Sequence, residues 1–125
     1  MTFRRSMIFE LASVSLRLVP GRARAQTAHV VESDPAANAV VDGRTTAFYV
    51  RFDRGVDHVR SLLLIKRGDE VIETLQPRLD SAPEVLFVRA PTLPPGEYTL
   101  HWRVLTLTDV QAREGDIPFT VGRSN

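Results

Sequence analysis

The sequence predicts an all-β fold, a single sandwich or Greek-key barrel of antiparallel strands. From residue 29 onward, apolar and polar residues alternate with the period of two that places one face of a strand in the core. Short strand-like segments recur roughly every ten residues between Gly and Pro turns, as in sandwiches and barrels. No long helical pattern follows residue 25.

Two segments show the alternation most clearly. Residues 48–52 and 98–104 carry an aromatic or aliphatic side chain at every second position, which predicts that these side chains enter the core. The predicted core residues are Phe48, Val50, Phe52, Leu100, Trp102, Val104 and Phe119. The other expected strands are those of a hairpin over 62–75, with Gly68-Asp69 at its turn, and single strands over 85–88 and 117–121.

Length and composition limit the classes of protein that fit. A chain of 125 residues with 43% hydrophobic content has room for one domain with a modest core. The absence of cysteine excludes disulfides, thiolate metal sites and a cysteine nucleophile.

Charge divides the chain into two parts. Residues 1–25 carry five arginines against the single acid Glu10, whereas residues 26–125 carry eleven basic and fourteen acidic side chains. An acidic globular part argues against nucleic-acid binding, which depends on clustered Lys and Arg. We therefore expect no nucleic-acid partner.

Residues 1–25 are predicted to be a secretory signal peptide, leaving residues 26–125 as the globular domain. The segment has a basic start, an apolar middle and the small-x-small ending Ala23-Arg24-Ala25. Glu10 and Arg17 interrupt its apolar part, which leaves open an amphipathic helix or an extended start of the reading frame. The side chains near helical spacing are Met7, Ile8, Leu11, Val14 and Leu18.

Three segments of the globular part resemble the CopC family of periplasmic copper-binding proteins. They are AHVVESDPAANAVVDG, FYVRFDRGVD, and LPPGEYTLHWRVLTLTD with EGDIPFTV, and they occur in the family's order over most of residues 28–121. The resemblance implies a Greek-key β-barrel of about seven strands with a cupredoxin-like or immunoglobulin-like shape. It also implies export to the periplasm, a role in copper binding or copper resistance, and an inner-membrane copper transport partner.

The resemblance also implies where copper(II) would bind. The family holds the ion with an N-terminal histidine, through its amine and its ring, and with an Asp-x-His pair after the Trp-Arg-Val strand. In this chain Asp109 matches the aspartate, Gln111 stands at the second histidine, and Thr27 stands at the first. His29 follows two residues later, so the expected metal residues are His29 and Asp109 with a weak or lost copper(II) site, because an amide is a poorer ligand than imidazole.

The N-terminus after processing decides whether His29 offers an amine. Cleavage after Ala25 would leave Gln26 first, without an imidazole. Cleavage after Ala28 would expose the amine of His29 but would put Gln26 where a small residue is preferred. Without a metal, Asp109 is expected to be a turn residue that accepts backbone N–H bonds.

The remaining metal donors and catalytic patterns are few. Met1 and Met7, the only methionines, lie in the leader, so we expect no copper(I) thioether site in the globular part. His58 and His101 are expected to be surface residues rather than ligands. No nucleophile elbow occurs, and an enzyme is not expected.

Two functions remain open, both for a monomer. One is a periplasmic copper carrier with a weakened or lost copper(II) site. The other is an interaction module that keeps the scaffold, has lost the metal and presents a strand face to a periplasmic or membrane partner.

Overall fold

A computed structural model describes residues 28–123, in which eight strands form two sheets packed face to face. The strands are β1 (Val30–Asp34), β2 (Ala39–Val41), β3 (Ala47–Phe52), β4 (Leu62–Arg67), β5 (Glu70–Leu75), β6 (Val85–Arg89), β7 (Gly96–Val104) and β8 (Arg113–Val121). One sheet has the order β1-β3-β6 and the other the order β2-β8-β7-β4-β5. The fold is therefore a sandwich rather than a closed barrel.

The all-β prediction is confirmed, and its strand count is close. Every connection except those between β4 and β5 and between β7 and β8 passes from one sheet to the other. Such crossings are typical of Greek-key sandwiches. The eighth strand is the three-residue β2. The described part of the chain contains no helix of the length and apolar character needed to cross a membrane.

The direction of one strand pair differs from the antiparallel expectation. β2 runs parallel to β8, with Ala39 opposite Phe119 and Val41 opposite Val121, while the other pairs are antiparallel. Alternation in a sequence reports which face of a strand is buried, but it carries no information on the direction of the neighbouring strand. For this reason the parallel pair could not be read from the sequence.

The core lies between the sheets and contains all the residues that the alternation predicted. Their exposed fractions range from 0% to 9%, and Trp102 has the largest. Two aromatic pairs bridge the sheets edge to face, Phe52 with Trp102 at 5.4 Å and Phe48 with Phe119 at 5.5 Å between ring centroids. Such pairs add specific geometry to the burial of apolar area.

Two glycines have a role that their surroundings explain. Gly68 has a φ of 63° in the two-residue turn between β4 and β5, a conformation that other residues adopt at a cost. Gly115 lies opposite Trp102 in the β7–β8 pair, and a Cβ atom there would overlap the indole ring. The hairpin prediction is confirmed, and Trp102 depends on a glycine of the neighbouring strand.

Trp102→Ala should destabilise the fold by about 3–5 kcal/mol, because the substitution leaves a cavity at the contact between the two sheets. Chemical denaturation followed by circular dichroism measures this change. Val110→Ala is the control, since Val110 is 92% exposed and its truncation should change stability by less than about 0.5 kcal/mol. Equal unfolding midpoints for the wild type and Trp102→Ala would contradict the burial of the ring.

Candidate functional site

Several strand ends meet at one end of the sandwich, which we call the β7–β8 end (residues 28–29, 53–61 and 105–112). The pairing of Val30 with Phe52 places the start of β1 beside the end of β3. The pairing of Leu62 with Arg103 places the start of β4 beside the end of β7. The two sheets are joined at this end by the Asp57 N–H, which donates to the Leu105 carbonyl at 2.7 Å.

His29 is held by Asp53 at this end. Nδ1 of His29 lies 3.3 Å from Oδ2 of Asp53, and the backbone N–H of His29 donates to Oδ1 at 3.0 Å. The Asp53 N–H in turn donates to the His29 carbonyl at 2.9 Å. The His29 side chain remains 56% exposed to solvent.

Asp53 was not singled out from the sequence, although it directly follows the strand that ends at Phe52. The backbone N–H of His29, and after it the Arg54 guanidinium, hold the pKa of Asp53 below its ordinary value. Nε of Arg54 lies 3.2 Å from Oδ1 of Asp53. Asp53 is therefore ionised at neutral pH and places a negative charge beside the His29 ring.

Asp109 closes the turn that follows β7. Its Oδ2 accepts the N–H of Thr106 at 2.8 Å, and its own N–H lies 3.3 Å from the Thr106 carbonyl. The expected role of Asp109 as a turn residue that accepts a backbone N–H is confirmed. Gln111, at the position where the family resemblance implies a histidine, is exposed.

Arg60 fixes this turn from a distant part of the chain. Its guanidinium donates to Oδ2 of Asp57 at 2.7 Å and to the carbonyls of Thr106 and Asp109 at 3.0 Å and 3.2 Å. The Arg60 side chain in turn holds the pKa of Asp57 below its ordinary value. No local pattern predicts this contact, because Arg60 lies more than 40 residues before the two carbonyls.

Ser61 anchors the beginning of the same loop. It is fully buried, and its Oγ accepts the Leu105 N–H at 3.0 Å. A buried hydroxyl that bonds to the backbone supplies a partner to a group that would otherwise lack one. The conformation of residues 105–109 is therefore set by side chains of the 57–61 loop.

The predicted signal peptide and Thr27 lie outside the described residues, but Ala28 lies within them. Ala28 is 1% exposed and belongs to the core cluster. A protein that began at His29 would lose this buried side chain. The structure thus gives no support to a route in which cleavage after Ala28 supplies the amine.

The other two histidines are more constrained than surface residues. His58 is half-buried, with Nε2 2.8 Å from the Val85 carbonyl. The His101 side chain is 14% exposed, with Nδ1 2.6 Å from Oδ1 of Asp116 and Nε2 2.7 Å from Oε1 of Glu114. His101 lies on the outward face of β7, as expected, and β8 places carboxylates on both sides of its ring.

Neither the His29–Asp53 pair nor the His101 cluster forms a conventional metal site. No group of three or more His, Asp or Glu within residues 28–123 is arranged to hold a metal ion. His29 with Asp53 is a two-residue pair at the β7–β8 end. In the His101 cluster the two carboxylates contact different nitrogens of one ring, so they do not converge on one point.

Comparisons with known proteins agree with this fold. The family model of the CopC domain matches residues 30–122. The chain belongs to the CopC domain family. A search of curated proteins found no match.

Two solved structures of CopC-type proteins are similar over most of the described chain. CopC from Methylosinus trichosporium OB3b has a TM-score of 0.68 and 27% identity, covering 79% of this chain and 97% of its own. PcoC, a methionine-rich copper resistance protein from Escherichia coli, has a TM-score of 0.58 and 18% identity, covering 75% and 97%. The second likeness shows a shared fold.

Asp57→Asn should weaken the dependence of stability on acid pH. The folded-state pKa of Asp57 is lowered, so its carboxylate stabilises the fold above about pH 4, and this contribution is lost as the pH falls through the folded-state pKa. Urea midpoints measured from about pH 7 to about pH 2 should therefore fall less steeply in Asp57→Asn than in the wild type.

Asp69→Asn is the control for this experiment. It removes an exposed carboxylate from the β4–β5 turn that forms no ion pair within the described range 28–123. The control should keep the wild-type slope in acid. If Asp57→Asn also keeps it, the Arg60 contact does not contribute to acid sensitivity.

Proposed function

We propose that this CopC-domain protein is a monomeric periplasmic copper(II)-binding protein whose site is weaker than that of family members with the full ligand set. Its proposed role is binding rather than catalysis. The observation that carries the proposal is that the two expected ligands, His29 and Asp109, belong to the same end of the sandwich. The names of the two similar proteins, CopC and the copper resistance protein PcoC, support copper as the cargo.

His29 and Asp53 supply the best pair of donors at this end. Their Nδ1 and Oδ2 atoms are 3.3 Å apart, so a nitrogen donor and an oxygen donor lie side by side. Copper(II) favours imidazole nitrogen, and the carboxylate neutralises part of its charge. Arg54 shares the Asp53 carboxylate and so competes with a bound cation.

Asp109 is a less available donor than the family resemblance implies. One of its carboxylate oxygens already accepts the Thr106 N–H, and Arg60 holds the backbone of the same turn. A copper ion would have to use the second oxygen or open the turn. Together with Gln111 in place of an imidazole, these contacts support a weak site.

Family membership also supports a proposal on the cellular compartment of the protein. We propose that the leader directs export and that an inner-membrane copper transport protein is the partner. The described sandwich begins at residue 28, after the proposed leader.

The alternative is an interaction module that has lost copper binding. Two apolar side chains favour it, Leu107 at 77% and Val110 at 92% exposure, in the loop where the family resemblance places copper ligands. Exposed apolar side chains on a loop are suited to contact a protein partner. Capture of a periplasmic partner from metal-free extract, lost in a Leu107→Ser/Val110→Ser variant, would favour this function.

Competition with a copper(II) chelator tests the main proposal. Protein processed after Ala25 should bind copper(II) weakly. Gln111→His combined with Thr27→His, with residue 27 first in the chain, should strengthen binding by several orders of magnitude, because two imidazoles and an amine are added. Tight one-to-one binding by the unmodified processed chain would contradict the proposal.

Single substitutions in the same titration separate the donors. Asp53→Asn should weaken the residual binding of the unmodified chain, because the carboxylate beside His29 is lost. Asp109→Ala should matter only in the protein with the added histidines. Asp69→Asn, far from this end at the β4–β5 turn, is the matched control for the loss of one negative charge.

Mass spectrometry of protein recovered from the native host tests export. We expect a chain that begins at Gln26 in the periplasmic fraction, because Ala23-Arg24-Ala25 fits the cleavage site of a signal peptide. Recovery of the uncleaved chain from the cytosol would contradict both the signal peptide and the proposed compartment.

A further inference from the structure

A second candidate site lies at the end of the sandwich opposite His29 and Asp109. There, β3 begins at Ala47 and β6 ends at Arg89, and these two residues are paired. Beside them is a groove of about 830 Å³. Its walls come from the β2–β3 loop, from the connection between β5 and β6, and from the outer face of β6.

Three arginines from separate parts of the chain line this groove. They are Arg44, Arg78 and Arg89, and we call their site the arginine groove. Residues 26–125 carry only eleven basic side chains against fourteen acidic ones. None of the described residues that line the groove is acidic. The lining itself is therefore positively charged, with Asp80 beside Arg78 and the Asp42 carboxylate accepting the Arg44 N–H at 2.8 Å.

The three guanidiniums differ in how they are paired. Arg78 contacts both carboxylate oxygens of Asp80, at 3.1 Å and 3.0 Å, and both side chains are exposed. The side chains of Arg44 and Arg89 form no hydrogen bond or ion pair with any other residue of the range 28–123. Two cationic side chains of this groove are thus available to an anion.

The outer edge of β6 adds a backbone donor. The carbonyls of Val85 and Phe87 point away from β3, because they accept bonds from His58 and from the Arg78 N–H. In an antiparallel pair the N–H and C=O of a residue point the same way, and alternate residues share that direction. The Arg89 N–H therefore also points outward, away from β3.

The other side chains that line the groove include one aromatic ring and three hydroxyl groups. Phe87 is half-buried on its floor, and Thr45, Thr46 and Thr92 supply hydroxyls. A volume of about 830 Å³ falls within the range of roughly 300–1,000 Å³ found for small-molecule sites. The charged and hydroxyl part of this lining suits a ligand with several negatively charged oxygens.

We propose that the arginine groove binds a small anion with two or more carboxylate or phosphate groups. A planar guanidinium donates two parallel N–H bonds to either group, which gives both strength and orientation. Arg44 and Arg89 are the principal contacts, and the Arg89 N–H is a further donor. This site is separate from the β7–β8 end and does not depend on copper binding.

Isothermal titration of the metal-free full chain with citrate and with pyrophosphate tests the proposal. The two probes share several negatively charged oxygens and separate carboxylate from phosphate recognition. We expect at least one probe to bind, and the double variant Arg44→Gln/Arg89→Gln to bind it at least about tenfold more weakly. Binding of only one probe identifies the anion class. Failure of both probes to bind the wild type would overturn the proposal.

The matched control is Arg103→Gln/Arg113→Gln, which changes the net charge equally but removes arginines of the other sheet. This control should retain the wild-type affinity for the probe. The arginines of residues 1–25 are present in every variant, so they cannot cause a difference between variants. Arg89→Lys keeps the charge but loses the two-pronged geometry, so it should also weaken binding. Equal weakening in the control double variant would show that only net charge matters and would overturn the site. Thermal unfolding of each variant checks that the sandwich is intact.

Discussion

The edge-to-face contact between Phe52 and Trp102 joins the two sheets, and the remaining structure depends on it and on the similar contact of Phe48 with Phe119. Each pair takes one ring from each sheet and buries both. Gly115 makes room for the indole on the neighbouring strand, so β7 and β8 can pair directly across the ring. With the inward side chains of β7 fixed in this way, the intervening side chains must face outward.

The outward face of β7 shows what this constraint produces. His101 lies between the inward residues of β7 and is paired with Asp116 of β8. Glu114 is two residues before Asp116 and so reaches the other side of the same ring. A single histidine thereby acquires carboxylate partners at both nitrogens as a consequence of strand register.

The two ends of the sandwich carry different side chains. β3 runs from one end of the sandwich to the other, with Arg89 paired at its start and Asp53 just beyond its end. Imidazole and carboxylate groups meet at the β7–β8 end, where the 57–61 loop holds the turn at Asp109. Arg44 and Arg89 line the groove at the opposite end. The two proposed sites therefore lie at opposite ends of one small domain.

The sequence by itself determined which side chains form the core, where the β4–β5 turn lies and which family the chain resembles. These features depend on neighbours along the chain, since alternation and turn residues are local signals. It also identified Asp109 as a turn residue, because aspartate accepts nearby backbone N–H groups.

Only the tertiary structure decided the parallel pairing of β2, the contact of Asp53 with His29, the hold of Arg60 on the Asp109 turn and the placement of Arg44 and Arg89 along one groove. Each of these joins residues far apart in the chain. A period-two pattern fixes the face on which a side chain lies but not the strand or loop it will meet. That choice is made when the two sheets pack and bring distant loops to a common end.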